Sequence, residues 1–255
     1  MKAAEIQQRR DQIARMLAEQ SKVKVNRLTD LFHVSDETIR KDLKYLEGQG
    51  ILRTVYGGAV SDRSDFIEPV MQRTTTFLKD KQKIVKRALA FIPEDRCIIG
   101  LDQGSTVALL AHELNQYRNK VVITRSLTSI LELIHGTNEF YCIGGKYQPA
   151  DMSFQGEAAG GLMHNIQLDI GFFGSSGILD RNGMCSSSLA DAEMKRTMLD
   201  QCRLKVVLID HSKFSRSSFV KVADWEAIDY VITDREAPED ALRELRSMTQ
   251  VIIAE

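Results

Sequence analysis

Residues 23–52 read VKVNRLTDLFHVSDETIRKDLKYLEGQGIL, and this stretch decides the N-terminal fold. Val23-Lys24-Val25 is a short extended piece. Asn26 is placed to cap a helix over Arg27–Phe32, with Leu28 and Leu31 facing inward. His33-Val34 makes a turn. Ser35 then stands where an N-cap belongs, and Asp36 and Glu37 fill the first turn, where the helix dipole favours carboxylates. The helix so begun runs from Asp36 to Gln49 and stops at Gly50, a residue suited to the position past a helix end. At about 100° per residue, Ile39, Leu43 and Leu46 fall within roughly 60° of arc. Lys41 and Lys44 project from the other side, and Thr38 and Arg40 flank the stripe. An apolar back with a polar front is what a recognition helix in a major groove requires.

Working outward, Ile6, Ile13 and Leu17 mark the inner face of a first helix, with Arg9, Arg10 and Arg15 on its polar sides. Ile51–Val55 and Ala59-Val60 read as a hairpin around Tyr56-Gly57-Gly58, because paired glycines accept the positive φ of a tight turn. A hairpin behind a recognition helix is the wing of a winged helix-turn-helix, on which Arg53 meets phosphate or a minor groove. A plain helical bundle with a solvated basic face has the same periodicity. Charge leans toward the DNA reading: residues 1–60 carry 11 Lys or Arg against 8 Asp or Glu, and the remainder 23 against 27.

Composition excludes several other classes. The 255 residues are 43% hydrophobic, and no apolar run approaches the roughly 18 residues of a membrane span. The opening Met1-Lys2-Ala3-Ala4-Glu5 turns polar at once, unlike a secretory signal, so a cytoplasmic location is expected. Cys97, Cys142, Cys185 and Cys202 show no CxxC spacing and read as reduced thiols. His33, His112, His135, His164 and His211 show no metal spacing, so neither a metal nor a cofactor is expected. Trp225 reads as core.

From about Arg96 onward, β-rich runs alternate with amphipathic segments. The runs are Cys97–Leu101, Val121–Thr124, Phe140–Ile143, Ile170–Phe173, Val206–Ile209, Tyr230–Thr233 and Val251–Ile253. Helical stretches at Thr106–Leu114, Leu127–Ile134, Ala190–Gln201 and Pro238–Met248 fall between many of them. The alternation predicts an α/β domain with a mostly parallel sheet covered on both faces. The organisation read from the chain is a winged helix-turn-helix over residues 1–60, a linker over 61–76, and an α/β domain over 77–255, with a helix resuming near Phe77–Phe91.

Small, hydroxyl and cationic residues recur at the carboxyl ends of these strands. Asp102-Gln103-Gly104-Ser105-Thr106 follows the first, where Gly permits close approach and hydroxyls plus free N–H groups at a helix start favour an anion. Thr124-Arg125-Ser126 ends the second strand, Gly144-Gly145-Lys146 the third, Gly174-Ser175 the next, and Asp210–Lys213 the Val206–Ile209 strand. Each turn alone is an ordinary loop; together they describe a polar pocket outside one edge of a sheet.

RRDQI at 9–13, the quoted 23–52 stretch and YGGA at 56–59 together closely resemble the DeoR/GlpR family of regulators. LDQGST, VVIT-R-S, IGGK, DIGFFGSSGI, AEMKRTM, LIDHSKF and IDYVITD, over roughly residues 80–234, resemble that family's sensor domain, which is similar in fold to ribose-5-phosphate isomerase. The resemblance implies a DNA-binding repressor of a carbohydrate operon. It places Ser35, Thr38, Arg40 and Lys41 at double-stranded operator DNA, Lys44 and Arg53 being added from the helix and wing. It also implies a phosphorylated sugar as effector, its phosphate on Gly104, Ser105 and Thr106, with Lys213 as counter-charge.

Asp102, Thr124, Arg125, Ser126, Gly144, Gly145 and Gly174 complete the expected effector site. The family's usual Asn is replaced by Arg125, which only donates and is always charged, so either the effector is unusually acidic or Arg125 pairs internally with Asp102 or Glu132. Glu193 and Lys195 fall on one helix, where they either reach the pocket or, as the commoner case, form a solvated helical face. The alternative is a sugar-phosphate isomerase with a DNA-binding head, using Asp102, Glu193 or Lys213 to move a proton. Helix-turn-helix proteins often bind palindromes as symmetric pairs, so a homo-oligomer of at least two chains is expected.

Overall fold

The computed structural model describes residues 3–20, 22–48, 51–55, 57–60, 70–156 and 161–255, and the chain divides into two units, Met1–Phe66 and Ile67–Glu255. The first comprises α1 (Ala3–Gln20), β1 (Lys22–Lys24), α2 (Val25–Phe32), α3 (Asp36–Gly48), β2 (Arg53–Val55) and β3 (Gly58–Val60). Ile13 and Leu17 of α1 meet Ile39, Leu43 and Leu46 of α3 in a core completed by Val25, Leu28 and Leu52. Each such side chain taken from water contributes roughly 1.5–3 kcal/mol. Strand β3 pairs antiparallel with both β1 and β2, giving a three-stranded wing in the order β1-β3-β2. Gly58 makes that pairing possible, since a Cβ there would lie 2.1 Å from the Val23 carbonyl oxygen.

Two expectations fail at α2. Asn26 does not cap α2, because strand β1 runs directly into the helix: Lys24 is the capping position, and the Val25 N–H is satisfied by Gly57 O at 3.0 Å. Leu31 is exposed, because the eight-residue α2 meets the core only through Val25 and Leu28. The Gly50 stop, Tyr56 and the side chains of Arg15 and Arg53 lie outside the described residues.

The second unit opens with α4 (Val70–Thr75) and α5 (Leu78–Leu89). Its strands are β4 (Cys97–Leu101), β5 (Lys120–Thr124), β6 (Glu139–Cys142), β7 (Lys146–Gln148), β8 (Ser153–Gln155), β9 (Leu168–Phe173), β10 (Met184–Ser186), β11 (Cys202–Leu208), β12 (Val220–Ala223), β13 (Tyr230–Asp234) and β14 (Gln250–Ala254). Between them lie α6 (Ser105–Glu113), α7 (Leu127–Leu133), α8 (Leu189–Asp200) and α9 (Glu239–Arg246). Seven strands form one parallel sheet ordered β14-β13-β11-β9-β4-β5-β6, and they are the seven apolar runs read from the sequence.

One face of the sheet packs Ile84 and Val85 of α5 and Val107 and Leu110 of α6 against Ile99, Val122 and Phe172. The other packs Met194 and Met198 of α8 and Leu242 and Leu245 of α9 against Phe173, Val207 and Val231. Trp225 is buried in that second cluster, as read. Two antiparallel pairs, β7–β8 and β10–β12, were not legible, being only three or four residues long. Within the segment read as linker, residues 61–69 lie outside the described residues, whereas α4 is helical and precedes α5 by a corner at Phe77 (φ 53°).

The chain leaves β4 toward β5 and β6 on one side, then returns to place β9 on the other and continues through β11 to β14. The winding therefore reverses between β4 and β9. In open parallel sheets the crevice outside the carboxyl ends of such strands is where ligands bind. Among the described residues no helix is long and apolar enough to cross a membrane, and no group of three or more His, Cys, Asp or Glu could hold a metal ion.

Candidate functional site

In the first unit, α3 presents its polar side to solvent. Ser35 Oγ accepts from the Thr38 N–H at 3.3 Å, fixing the helix start, and also contacts Thr38 Oγ1 at 2.9 Å. Arg40 bridges to Asp36, and Lys41 Nζ lies 2.8 Å from Glu37, one turn back. These cations are 58% and 74% exposed, and Lys44 is exposed beside them. Exposed pairs of this kind contribute little to stability, so breaking them to free the cations costs little. The mutual hydrogen bond and charge of the Glu37–Lys41 pair lower the pKa of the carboxyl and raise that of the ammonium.

What holds α3 is a buried strut. Asp42 accepts from Arg9 Nε at 2.6 Å and from Arg10 Nε at 2.7 Å, while the Arg10 guanidinium lies 3.7 Å above the Tyr45 ring. Arg9 is therefore not a solvent-side residue as its helical position implied; it is buried against α3.

In the second unit, an open cleft lies outside β4 and β9, lined by Arg73, Gln103, Gly104, Ser105, Thr106, Gly174, Ser175, Ser176, Lys195 and Lys213. Gly104 precedes α6 at φ 135°, a conformation open to glycine, and as the N-cap it has no side chain with which to cap the helix. The first-turn N–H groups of α6 have no preceding carbonyls within the helix, and its dipole places partial positive charge there. Lys213 reaches the cleft from the 3₁₀ turn His211–Lys213 after β11. Burial pushes its ammonium down to about 8, against the nearby Asp210 but aided by Arg73, Arg216 and Lys81. Lys213 and Arg73 at a helix N-terminus make a site for an anion.

Beneath the cleft lies an ion network. Asp102 accepts from Arg125 Nη2 at 3.1 Å, from the Gly174 N–H at 3.2 Å, and from Lys195 Nζ. Asp191 accepts from the same Arg125 Nη2 and from Ser186 Oγ at 2.5 Å, with Lys195 Nζ at 3.8 Å. All four charged side chains are at most 2% exposed. Burial alone would raise the Asp191 pKa, but Lys195, Arg125 and Ser186 hold it well below the usual carboxylate range. Burial opposes the Arg125 charge, and Asp191 and Asp102 overcome it.

The structure therefore separates the expected effector residues. Gly104, Ser105, Thr106, Gly174 and Lys213 meet at the cleft. Asp102, Thr124, Arg125 and Ser126 do not line it. Thr124 Oγ1 donates to Leu101 O at 2.8 Å, and Ser126 Oγ caps α7 by accepting from Ser129 N at 3.2 Å. Gly144 and Gly145 are exposed at the turn into β7, where Gly145 allows close approach to the Gln155 carbonyl of β8.

Of the two readings open for this helix, Lys195 takes the pocket one, being buried and lining the cleft, whereas Glu193 is exposed on α8. The isomerase trio thus does not assemble: Asp102 is locked by two cations and Glu193 faces away from the buried network. Arg73 was missed because α4 has no legible period, and its only signal was a lone Arg shortly before the Phe77 helix.

A DNA-reading helix with a wing, joined in one chain to a parallel sheet with an anion-accepting crevice, defines a ligand-sensing transcription regulator. Residues 9–65 match the DeoR-like helix-turn-helix domain and residues 76–235 the DeoR C-terminal sensor domain. The chain belongs to the DeoR family of DNA-binding transcriptional regulators, which bind effectors and are not enzymes.

It is 32% identical to a protein of Escherichia coli O157:H7 described as a candidate aga operon transcriptional repressor, covering 94% of this chain and 90% of that protein. It is 28% identical to the glycerol-3-phosphate regulon repressor of Escherichia coli K12, covering 93% and 94%. It is 31% identical to the lactose phosphotransferase system repressor of Staphylococcus epidermidis RP62A, covering 89% and 91%. Among solved structures, ribose-5-phosphate isomerase in complex with phospho-erythronic acid aligns over about half of each chain (52%), with 21% identity and a TM-score of 0.39.

Proposed function

We propose that this chain represses a carbohydrate operon, binding double-stranded operator DNA as a homo-oligomer and responding to a phosphorylated sugar or sugar derivative held in the β4/β9 crevice. The observation that carries the effector reading is the convergence of the uncapped Gly104–Thr106 helix start with Lys213 and Arg73. The phosphate lies on the Ser105 and Thr106 amides and hydroxyls, with Lys213 as counter-charge. Asp102, Arg125, Asp191 and Lys195 form the floor that positions these groups. The names of the glycerol-3-phosphate and lactose phosphotransferase repressors agree with a carbohydrate role.

Ser35 at the N-cap and Thr38, Arg40, Lys41 and Lys44 on α3 contact the operator, and Arg53 is assigned to it as the wing residue. At least two chains act together, because a single three-helix head covers one half-site. A gel shift on DNA from upstream of the gene, run against a panel of sugar phosphates and their unphosphorylated parents, tests this. At least one phosphorylated sugar should change operator affinity where its parent does not. Equal responses to both members of every pair would remove the phosphate from the account.

A further inference from the structure

Arg73 occupies an unusual place in the chain. It sits on α4, the first described helix of the second unit, which follows the DNA-binding head in sequence. From there its side chain lines the anion cleft, with Nη2 only 3.4 Å from Asp151 Oδ1. That is the long end of an ion pair, and Asp151 is one of the groups that hold Arg73 rather than its sole partner. Burial and the neighbouring Asp191 push its carboxyl up, against the pull of Arg73, Lys195 and Arg125. A carboxyl so placed takes up a proton readily when its cation is drawn away.

The corner after α4 is tied to the same cleft. Lys81, itself buried, donates to Arg73 O at 2.5 Å in the last turn of α4 and to Thr76 O at 2.8 Å just past its end. Phe77, at the left-handed corner, packs edge-on against His211 with ring centroids 4.5 Å apart, and His211 begins the turn that ends in Lys213. At its other end the Val70 N–H donates to Ala150 O at 3.0 Å, next to Asp151. So α4 is suspended between the Asp151 loop and the Lys213 turn, and Arg73 reaches into the cleft that lies against the second.

We propose that Arg73 is an effector contact, and that an anion bound on Gly104–Thr106 and Lys213 draws it from Asp151 and thereby resets α4, the helix through which occupancy reaches the DNA-binding head. This rests on the phosphate-pocket reading above. It adds a second cation to the anion subsite and assigns the element that carries the signal.

Hydrogen exchange of the full-length chain, followed by mass spectrometry with and without saturating ribose 5-phosphate, and with inorganic phosphate as a second probe, tests it. In the wild type, amides of residues 104–108 and of residues 70–76 should change together. In Arg73→Gln, affinity should fall at least about tenfold, as for loss of one member of a close charge pair. At saturation that variant should still protect 104–108 while leaving 70–76 unchanged. Arg73→Lys, which keeps the charge, should retain part of the 70–76 response.

The proposal is overturned if 104–108 respond in the wild type while 70–76 do not, a result that needs no variant. It is equally overturned if Arg73→Gln responds as the wild type does. Silence at both segments with both probes would instead remove the anion pocket itself, and this proposal with it.

Discussion

Arg125 and Asp191, 66 residues apart in sequence, form an ion pair whose side chains are 2% and 1% exposed. The pair favours the second of the two readings that the sequence left open for Arg125, an internal ion pair, and adds Asp191 to the expected partner Asp102. Its Nη2 is shared between Asp191 and Asp102, leaving the guanidinium under the cleft floor. With Lys195 the network holds two cations and two carboxylates, so it adds no net charge to the pocket. Selection of an unusually acidic effector by Arg125 would require this network to open.

Arg125→Asn should cost stability and leave the order of ligand preference unchanged. Removing one partner of a buried ion network typically costs about 3–5 kcal/mol, because the remaining charges stay buried and uncompensated. Urea denaturation measures the loss. The same network predicts acid sensitivity: Asp191 has a depressed pKa, so its contribution is complete above the ordinary value of 3.8 and is lost as pH falls below it. A variant as stable as the wild type, or one that selectively loses acidic ligands, would contradict the structural role.

Lys213 gives the pocket a pH dependence of the opposite sense. Its ammonium titrates near 8, so an anion should bind best below that pH, and affinity should fall as pH rises through it. Binding should be accompanied by proton uptake near pH 8, because the anion restores the charged form. In the free chain the same depressed lysine is unfavourable when charged, so its contribution to stability improves between about 8 and the ordinary 10.5. Calorimetry in two buffers of different ionisation enthalpy reads the proton uptake. Lys213→Met should abolish it.

Much of this architecture was legible in the sequence because its signals are local. The seven sheet strands announce themselves as apolar runs, and the α3 stripe of Ile39, Leu43 and Leu46 as a helical period. The Gly104–Thr106 turn was equally visible, since strand, glycine and helix start are contiguous. Partnerships across the chain were not. Nothing near Lys195 reveals that Asp102, 93 residues away, will take its ammonium out of solvent. Arg9 looked solvated for the same reason: its partner Asp42 lies 33 residues on. Thr124 and Ser126 have the right chemistry for a ligand, but strand end and helix cap use their hydroxyls first.

On the DNA side, Arg40→Ala and Lys41→Ala should weaken operator binding without unfolding the head. Their partners Asp36 and Glu37 are exposed on the same helix, so little stability is lost with either pair. A bidentate base contact by either residue makes the loss about 1–3 kcal/mol in a gel-shift titration. Asp42→Ala should behave differently, lowering thermal stability by freeing Arg9 and Arg10 from α3. Unchanged operator affinity in both Arg40→Ala and Lys41→Ala would remove this face from the interface.

Operator affinity should also fall linearly with salt on a log–log plot. Several Lys and Arg contacts to phosphate release counterions, and the drop between about 50 and 200 mM should span orders of magnitude. The slope should shrink by about one for each phosphate-contacting lysine removed from a head. A flat response in fluorescence anisotropy would contradict phosphate-positioned binding.

The claim that an anion sits where the sheet reverses between β4 and β9 is open to direct inspection. A crystal structure of the full chain, grown with whichever sugar phosphate alters its DNA affinity, should place phosphate density against the Ser105 and Thr106 amides, within hydrogen-bond reach of the Lys213 ammonium. Phosphate seated instead on the Gly144-Gly145 turn, or on Arg125 with the Asp102–Asp191 network broken open, would contradict the account.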